Sequence, residues 1–343
     1  MDNQERIFAL SEAVGLSGCE REAAAVAGEL LRPFVDSCTQ DVNGNVIGIR
    51  TAKKRGARCI LLDAHIDEVG LRVTDHDKGF LKFISIGVDA RLLPGLEVKV
   101  CTEPPIYGVV SCLPPHILSE EEQDKSFAID KLRIDCGLTP EEAPERVPIG
   151  TPVVYNTKPF LMGEKTVCGK SLDDRACFAI LVRTMELLRD EALPVDVVVL
   201  GSTQEETTGV GATTGAYSMM PNEAIVVDVS FAKQTDVGED ESSPFGSGPM
   251  IGVGPVMNRR MYHKLMALAK ERGIPYTIEV MSGRTGTNAD DIQITHSGVN
   301  VVCVSLPLRY MHTPIEVVDL DDVENAAKLL AAYILSFGEE RAS

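Results

Sequence analysis

Apolar residues recur at helical spacing in ERIFALSEAVGL and REAAAVAGELLRPFV, which predicts two helices at the start of the chain. Val42-Asn43-Gly44-Asn45 then reads as a turn between two short strands. CILLDAH is short and almost continuously apolar, as a strand buried on both faces requires, and it ends in polar residues. From about Arg72 to Gly163 the pattern changes to short strand-like runs, FLKFISIG, LEVKVC, IYGVVSC and TPVVYN, with frequent Gly and Pro and an acidic, loop-prone stretch beginning SEEEQDKS. After Gly163 strands and helices alternate again: SLDDRACFAILVRTMELLRD as helix, VDVVVLGSTQ and EAIVVDVS as strands, and RRMYHKLMALAKERG as a helix stopping at Gly273. YTIEVM and VNVVCVSLPL follow as strands, and LDDVENAAKLLAAYILSFG as a closing amphipathic helix. Such alternation implies a sheet covered by helices. The predicted outline is an α/β catalytic domain, residues 1–71 and 164–343, interrupted at 72–163 by a β-rich insert resembling a small barrel with one short helix.

Five of these elements put His, Asp or Glu next to an apolar run: LLDAHIDEVG, CGKSLDDRAC, VLGSTQEETTG, IVVDVS and SLPLRYMHTP. An open α/β sheet places its site beyond the C-terminal ends of its strands. Together they offer His65, Asp67, Asp173, Asp174, Glu205, Glu206, Asp228 and His312. That inventory suits two divalent metals sharing a carboxylate, with a Glu to spare as a base.

Each motif also has a plainer explanation. His65 alone reads more readily as structural, although Asp67 two residues on is placed to orient a ligating imidazole. Asp173 or Asp174 alone would cap the helix, but capping uses one acid and there are two. Glu205 and Glu206 alone would be a solvated acidic turn; as neighbours they diverge, so that one can bind metal while the other meets a water. Asp228, inside a buried run, needs a partner. Arg309, three residues before His312, offers a cation to an acid or a substrate carbonyl. It is the coincidence of all five at element ends that favours metal. His76, His116, His263 and His296 read as surface or structural residues, and Asp290 and Asp291 as helix-capping ones.

Composition sets limits on the class. Of 343 residues 44% are apolar, enough for a large core, and with no Trp that core is mainly aliphatic. The 33 Lys and Arg against 51 Asp and Glu leave a net charge of -18, which argues against nucleic acid or an anionic membrane as partner. Nine Cys with no C-x-x-C pair read as buried or half-buried thiols in a reducing cytoplasm. MDNQERIFAL lacks the apolar core of a signal peptide, and no apolar run approaches the ~20 residues of a membrane span.

AHIDEVG, GKSLDDRA, TQEE, VVDVS, GSGPMI and RYMHTP, with YGVVSCLPPH and IDCG inside the insert, occur in the order found in the dinuclear-metal aminopeptidases that build tetrahedral particles, among them glutamyl aminopeptidases and proteins labelled endoglucanase M. The chain resembles that family over almost its whole length. The resemblance implies a phosphorylase/hydrolase-like α/β sandwich with an inserted dimerisation domain, and dimers assembling into a hollow dodecamer. It implies His65, Asp173, Glu206, Asp228 and His312 as ligands of two zinc or cobalt ions, with Asp173 bridging. It further implies Glu205 as general base and acid, Asp67 as orienter of His65, and a cis Asp173–Asp174 peptide. Substrates would be short peptides with a free N-terminus; acidic, basic and apolar first residues are all accommodated on this scaffold. Thr207, Ser247, Leu71 and Arg72 depart from the usual pattern and bear on substrate preference, not on the ligands. Two other classes fit parts of the sequence: a β-glucan hydrolase, which uses two carboxylates and no metal, and a non-catalytic scaffold around a closed structural metal.

Overall fold

The computed structural model describes residues 1–54, 56–117, 127–235 and 237–339. The chain opens with α1 (Asn3–Glu12) and α2 (Arg21–Leu31). A reciprocal capping box sets the start of α1: Asp2 accepts from the Glu5 backbone N–H, and Glu5 accepts from that of Asp2. β1 (Ser37–Gln40) and β2 (Val46–Arg50) form the expected hairpin, and β3 (Cys59–His65) coincides with the apolar run CILLDAH.

β4 (Gly70–Asp77), β5 (Phe80–Ile86), β6 (Glu97–Val100), β7 (Ile106–Ser111), β8 (Arg133–Asp135) and β9 (Pro152–Tyr155) close into a barrel in the order β4-β5-β8-β7-β6-β9. Its short helix is α3 (Glu142–Arg146). Val73, Leu81, Val98, Val110, Ile134 and Val153 fill a core separate from the main one. The expected loop SEEEQDKS lies outside the described residues.

β10 (Phe160–Met162), expected inside the insert, instead hairpins onto β11 (Thr166–Gly169) and belongs to the large sheet. Strand pairing thus puts the barrel strands between Gly70 and Tyr155, against the expected limits of 72 and 163. A three-residue apolar strand carries no mark of which sheet it will join; the hairpin with β11 decides it.

The return to alternation gives α4 (Leu172–Leu187), β12 (Asp196–Ser202), α5 (Val210–Met219), β13 (Glu223–Phe231), β14 (Met250–Val253) and α6 (Arg259–Arg272). β15 (Thr277–Val280), α7 (Ala289–Ile292), β16 (Asn300–Arg309), β17 (Glu316–Asp319) and α8 (Leu320–Glu339) complete it. The large sheet has 11 strands in the order β1-β2-β12-β3-β13-β16-β17-β11-β10, with β14 and β15 joined at β16. Its centre, β12-β3-β13-β16, is parallel. α4 packs on β3 and β13 beside α1 and α8, while α5 packs on β12 and β3 beside α7. The fold is therefore α/β with an inserted β-barrel. No helix among the described residues is long and apolar enough to cross a membrane.

Candidate metal centre

The parallel strands deliver their polar ends to one place. His65 ends β3, Glu205 and Glu206 follow β12, Asp228 lies in the C-terminal half of β13, His312 follows β16, and Asp173 and Asp174 open α4. Asp173 sits between the two imidazoles. Its Oδ1 is 3.2 Å from His65 Nε2 and its Oδ2 is 3.3 Å from His312 Nε2. Glu206 Oε1 is 3.4 Å from the same His312 nitrogen. His65, Asp173 and Glu206 form one group of convergent ligand atoms, and His65, Asp174 and Asp228 a second. Neither Asp173 nor Asp174 accepts from a first-turn amide of α4: Asp173 meets the imidazoles and Asp174 the His65 backbone, and the peptide between them is cis.

Several of these groups are held by a second residue. His65 Nδ1 lies 3.3 Å from Asp67 Oδ1. The two Asp67 oxygens accept from the backbone N–H groups of Glu205 (3.0 Å) and Glu206 (3.2 Å), so one carboxylate aligns the imidazole and fixes the paired-Glu loop. His312 Nδ1 lies 2.9 Å from Gly87 O in the barrel, which makes Nδ1 the donor there and turns Nε2 toward Asp173 and Glu206. Gly87 has φ +69, and a Cβ there would collide with Val69 and come 3.3 Å from Glu206 Oε2. Glu316 accepts from the backbone N–H of Asp173 (3.1 Å) and of His312 (2.8 Å), tying the central carboxylate to the last imidazole. Asp174 Oδ2 accepts from His65 N at 3.1 Å.

Beneath the loops lies a buried ion network. Glu68 meets Lys170 Nζ at 2.6 Å and Arg175 Nη2 at 3.1 Å, and accepts from Gly15 N. Arg175, fully buried, also donates to the carbonyls of Leu10, Ala13 and Ile66. It thereby locks α1, the loop after β3 and the start of α4 into one register. The backbone is strained where it presents these groups: Ser171, Gln204, Tyr310 and His312 have φ of 50, 59, 61 and 63. Left-handed geometry at a residue with a Cβ costs on the order of 1–3 kcal/mol and clusters at functional sites.

Burial works against the charge of every acid here. It pushes the Glu206 carboxyl up to about 8, aided by the Asp173 charge. Burial likewise raises Asp174, Asp228, Glu205 and Glu316. Asp173 goes the other way: burial opposes its charge, but hydrogen bonds to His312 and His65 hold it below the usual range. The Asp173 contact, against the opposing effect of burial, lifts His312 to about 9. Burial would lower His65, but Asp173 and Asp67 raise it well above its ordinary value. Buried Glu206 Oε1 and Asp174 Oδ1 have no hydrogen-bond partner. Acids crowded around two imidazoles, with acceptor atoms unsatisfied, suit a cation, and the all-N/O donor set is of the kind that holds divalent ions.

The other expectations divide. Arg309 Nε donates to Lys233 O at 2.7 Å and its guanidinium lies over the Phe245 ring. Among the described residues it pairs with no acid. Asp290 and Asp291 stand in the first turn of α7 and do not cap it; Asp290 accepts from Thr285 N. His76, His263 and His296 contact Val147 O, Arg259 and Tyr217, and His116 is exposed; none joins the cluster. All nine thiols are free, but Cys112 is exposed where a buried or half-buried position was expected.

A family model described as M42 glutamyl aminopeptidase matches residues 44–329. A lysyl aminopeptidase of Pyrococcus furiosus is 32% identical over 342 residues, 97% of each chain. The solved structure of a TET aminopeptidase from the marine sediment archaeon Thaumarchaeota archaeon SCGC AB-539-E09 superposes with a TM-score of 0.92 at 30% identity, covering 98% of both chains. The TET1 peptidase of Pyrococcus horikoshii, described as assembling into a tetrahedron or a large octahedral shell, superposes at 0.85 with 30% identity, over 97% of this chain and 99% of that one.

Proposed function

The chain belongs to the M42 glutamyl aminopeptidase family, and from that premise we propose that it is a metal-dependent aminopeptidase. It would release residues one at a time from the free N-termini of short peptides in the cytoplasm. The observation that carries the reading is Asp173, whose two oxygens face two different imidazoles at 3.2 and 3.3 Å, the geometry a bridging carboxylate needs. In this reading His65, Asp173 and Asp228 hold one ion, and Asp173, Glu206 and His312 the other. Asp174, beside His65 and Asp228, supports the first from behind. When bound, two such ions supply Lewis-acid polarisation of a carbonyl and lower the pKa of water towards neutrality.

The protein's own groups do the rest. Glu205 Oε2 lies 3.9 Å from His65 Nε2 without joining either ligand group. It is more exposed than Glu206, 18% against 6%, as befits a group that must meet water. Its carboxylate takes the proton of the attacking water and passes it to the leaving amine. Asp67 keeps the His65 ring aligned while anchoring the Glu205 backbone. The β-glucanase alternative lacks support in this geometry: two carboxylates flanking a glycosidic bond must leave room for the sugar, whereas these converge on imidazoles. A closed structural site leaves no purpose for Glu205.

A survey of aminoacyl-p-nitroanilides with added zinc or cobalt tests the activity. The free-amine substrates should be cleaved and their N-acetylated counterparts should not. Equal cleavage of both would contradict the exopeptidase reading.

We propose further that the chain assembles through the barrel into dimers, and these into a dodecamer. The barrel exposes Tyr107 and Val109 on β7, with Leu113 and Ile117 just beyond, a grouping of large apolar side chains that water disfavours. Light scattering on metal-loaded protein should give the mass of many subunits. A strictly monomeric, fully active particle at micromolar concentration would refute the assembly while leaving the chemistry intact.

A further inference from the structure

We propose that the cavity beside Asp228 receives the side chain of the substrate's first residue, and that Glu279 makes it selective for lysine and arginine. This rests on the aminopeptidase reading above. The cavity, about 530 Å³, is lined by Phe231, Met250 and Met311 on its apolar side and by Glu279, Asp240 and Glu241 on its acidic side. Two of its lining residues adjoin candidate ligands. Ser230 lies two residues beyond Asp228 on β13, hence on the same face, and Met311 directly precedes His312.

Glu279 is built into this wall. Ser230 Oγ donates to its Oε1 and Ser305 Oγ to its Oε2, both at 2.6 Å. Ser305 stands opposite Asp228 in the β13–β16 register, so the strands that position Asp228 also position the Glu279 carboxylate. Two hydroxyl donors orient the carboxylate without neutralising it. Glu279 takes part in no ion pair among the described residues; its two oxygens are held by the serine hydroxyls alone.

The three apolar side chains suit the aliphatic stem of a lysine or arginine, and the carboxylate suits its charged end. An apolar first residue would cover Glu279 and leave its charge without a counter-charge, and an acidic one would oppose like charge. A site built around such a group rejects the analogue that lacks its partner.

The test compares kcat/KM for the p-nitroanilides of L-lysine, L-norleucine and L-glutamate. Norleucine differs from lysine only by the missing ammonium group. The wild-type protein should favour lysine over norleucine by at least tenfold, and glutamate should be the poorest. E279Q, which keeps both hydroxyl partners, should lower the lysine-to-norleucine ratio at least tenfold. E279K should raise glutamate above lysine. Calorimetric titration with L-lysinamide and L-norleucinamide reads the same discrimination without turnover, and decides the matter if E279Q is inactive. If E279Q does not fold, the wild-type ratio alone decides. Hydrolysis with norleucine or glutamate preferred, or an E279Q ratio equal to wild type, would overturn the assignment and leave the aminopeptidase reading standing. Failure to cleave any aminoacyl substrate would overturn both.

Discussion

Replacing Glu205 by Gln will lower kcat for peptide hydrolysis by about 10²–10⁴-fold, the usual cost of losing a general base. Shape is preserved, so the Asp67 bond to the residue 205 backbone N–H should persist. Metal content, read by elemental analysis, should stay at the wild-type level, because Glu205 belongs to neither group of convergent ligand atoms. Glu206→Gln should behave differently, since Glu206 shares a group with His65 and Asp173 and faces His312. If the Glu205 variant loses metal or retains wild-type kcat, the roles of the two glutamates are reversed.

Replacing Glu68 by Gln will destabilise the fold by about 3–5 kcal/mol, the cost of removing one partner from a buried ion pair. Lys170 and Arg175 would both remain buried, at 3% and 0% exposure, without their counter-charge. Burial opposes the Glu68 charge, but Lys170 and Arg175 outweigh it and hold the carboxyl below its ordinary value of 4.5. A depressed acid contributes stability above its unfolded pKa and loses it as pH falls through its folded pKa. The gap between wild type and variant in denaturant melts should therefore be full near neutrality and narrow below about pH 4.5. An unchanged midpoint at neutral pH would show that the network is not holding α1, the β3 loop and α4 together.

The candidate centre was legible in the sequence because its groups stand where apolar runs stop. His65 closes CILLDAH, Glu205 and Glu206 follow a buried strand, and His312 follows another, so a parallel sheet brings them together by topology alone. The residues that hold those groups were not legible. Glu316 opens a four-residue strand, EVVD, and nothing in that pattern says its carboxylate will span the backbones of Asp173 and His312. Arg175 reads as an ordinary helix cation, yet it is fully buried and bonded to three carbonyls from distant turns. Gly87 is one glycine among 29; only the approach of the barrel to His312 distinguishes it. α5 escaped the periodicity because small residues predominate in it. That smallness reflects close packing, since a Cβ at Gly215 would meet Leu200 at 2.6 Å. Arg309, three residues before His312, meets Lys233 O and the Phe245 ring rather than an acid, contacts that its place in the sequence does not announce.

In the proposed function the carboxylates around His65 and His312 hold two divalent ions on which peptidase activity depends. The most direct measurement strips the protein with a chelator, confirms the loss by elemental analysis, and follows activity as zinc or cobalt is returned. The stripped protein should show no peptidase activity, and recovery should saturate at two ions per chain. Full activity in protein shown to be free of metal would contradict that dependence.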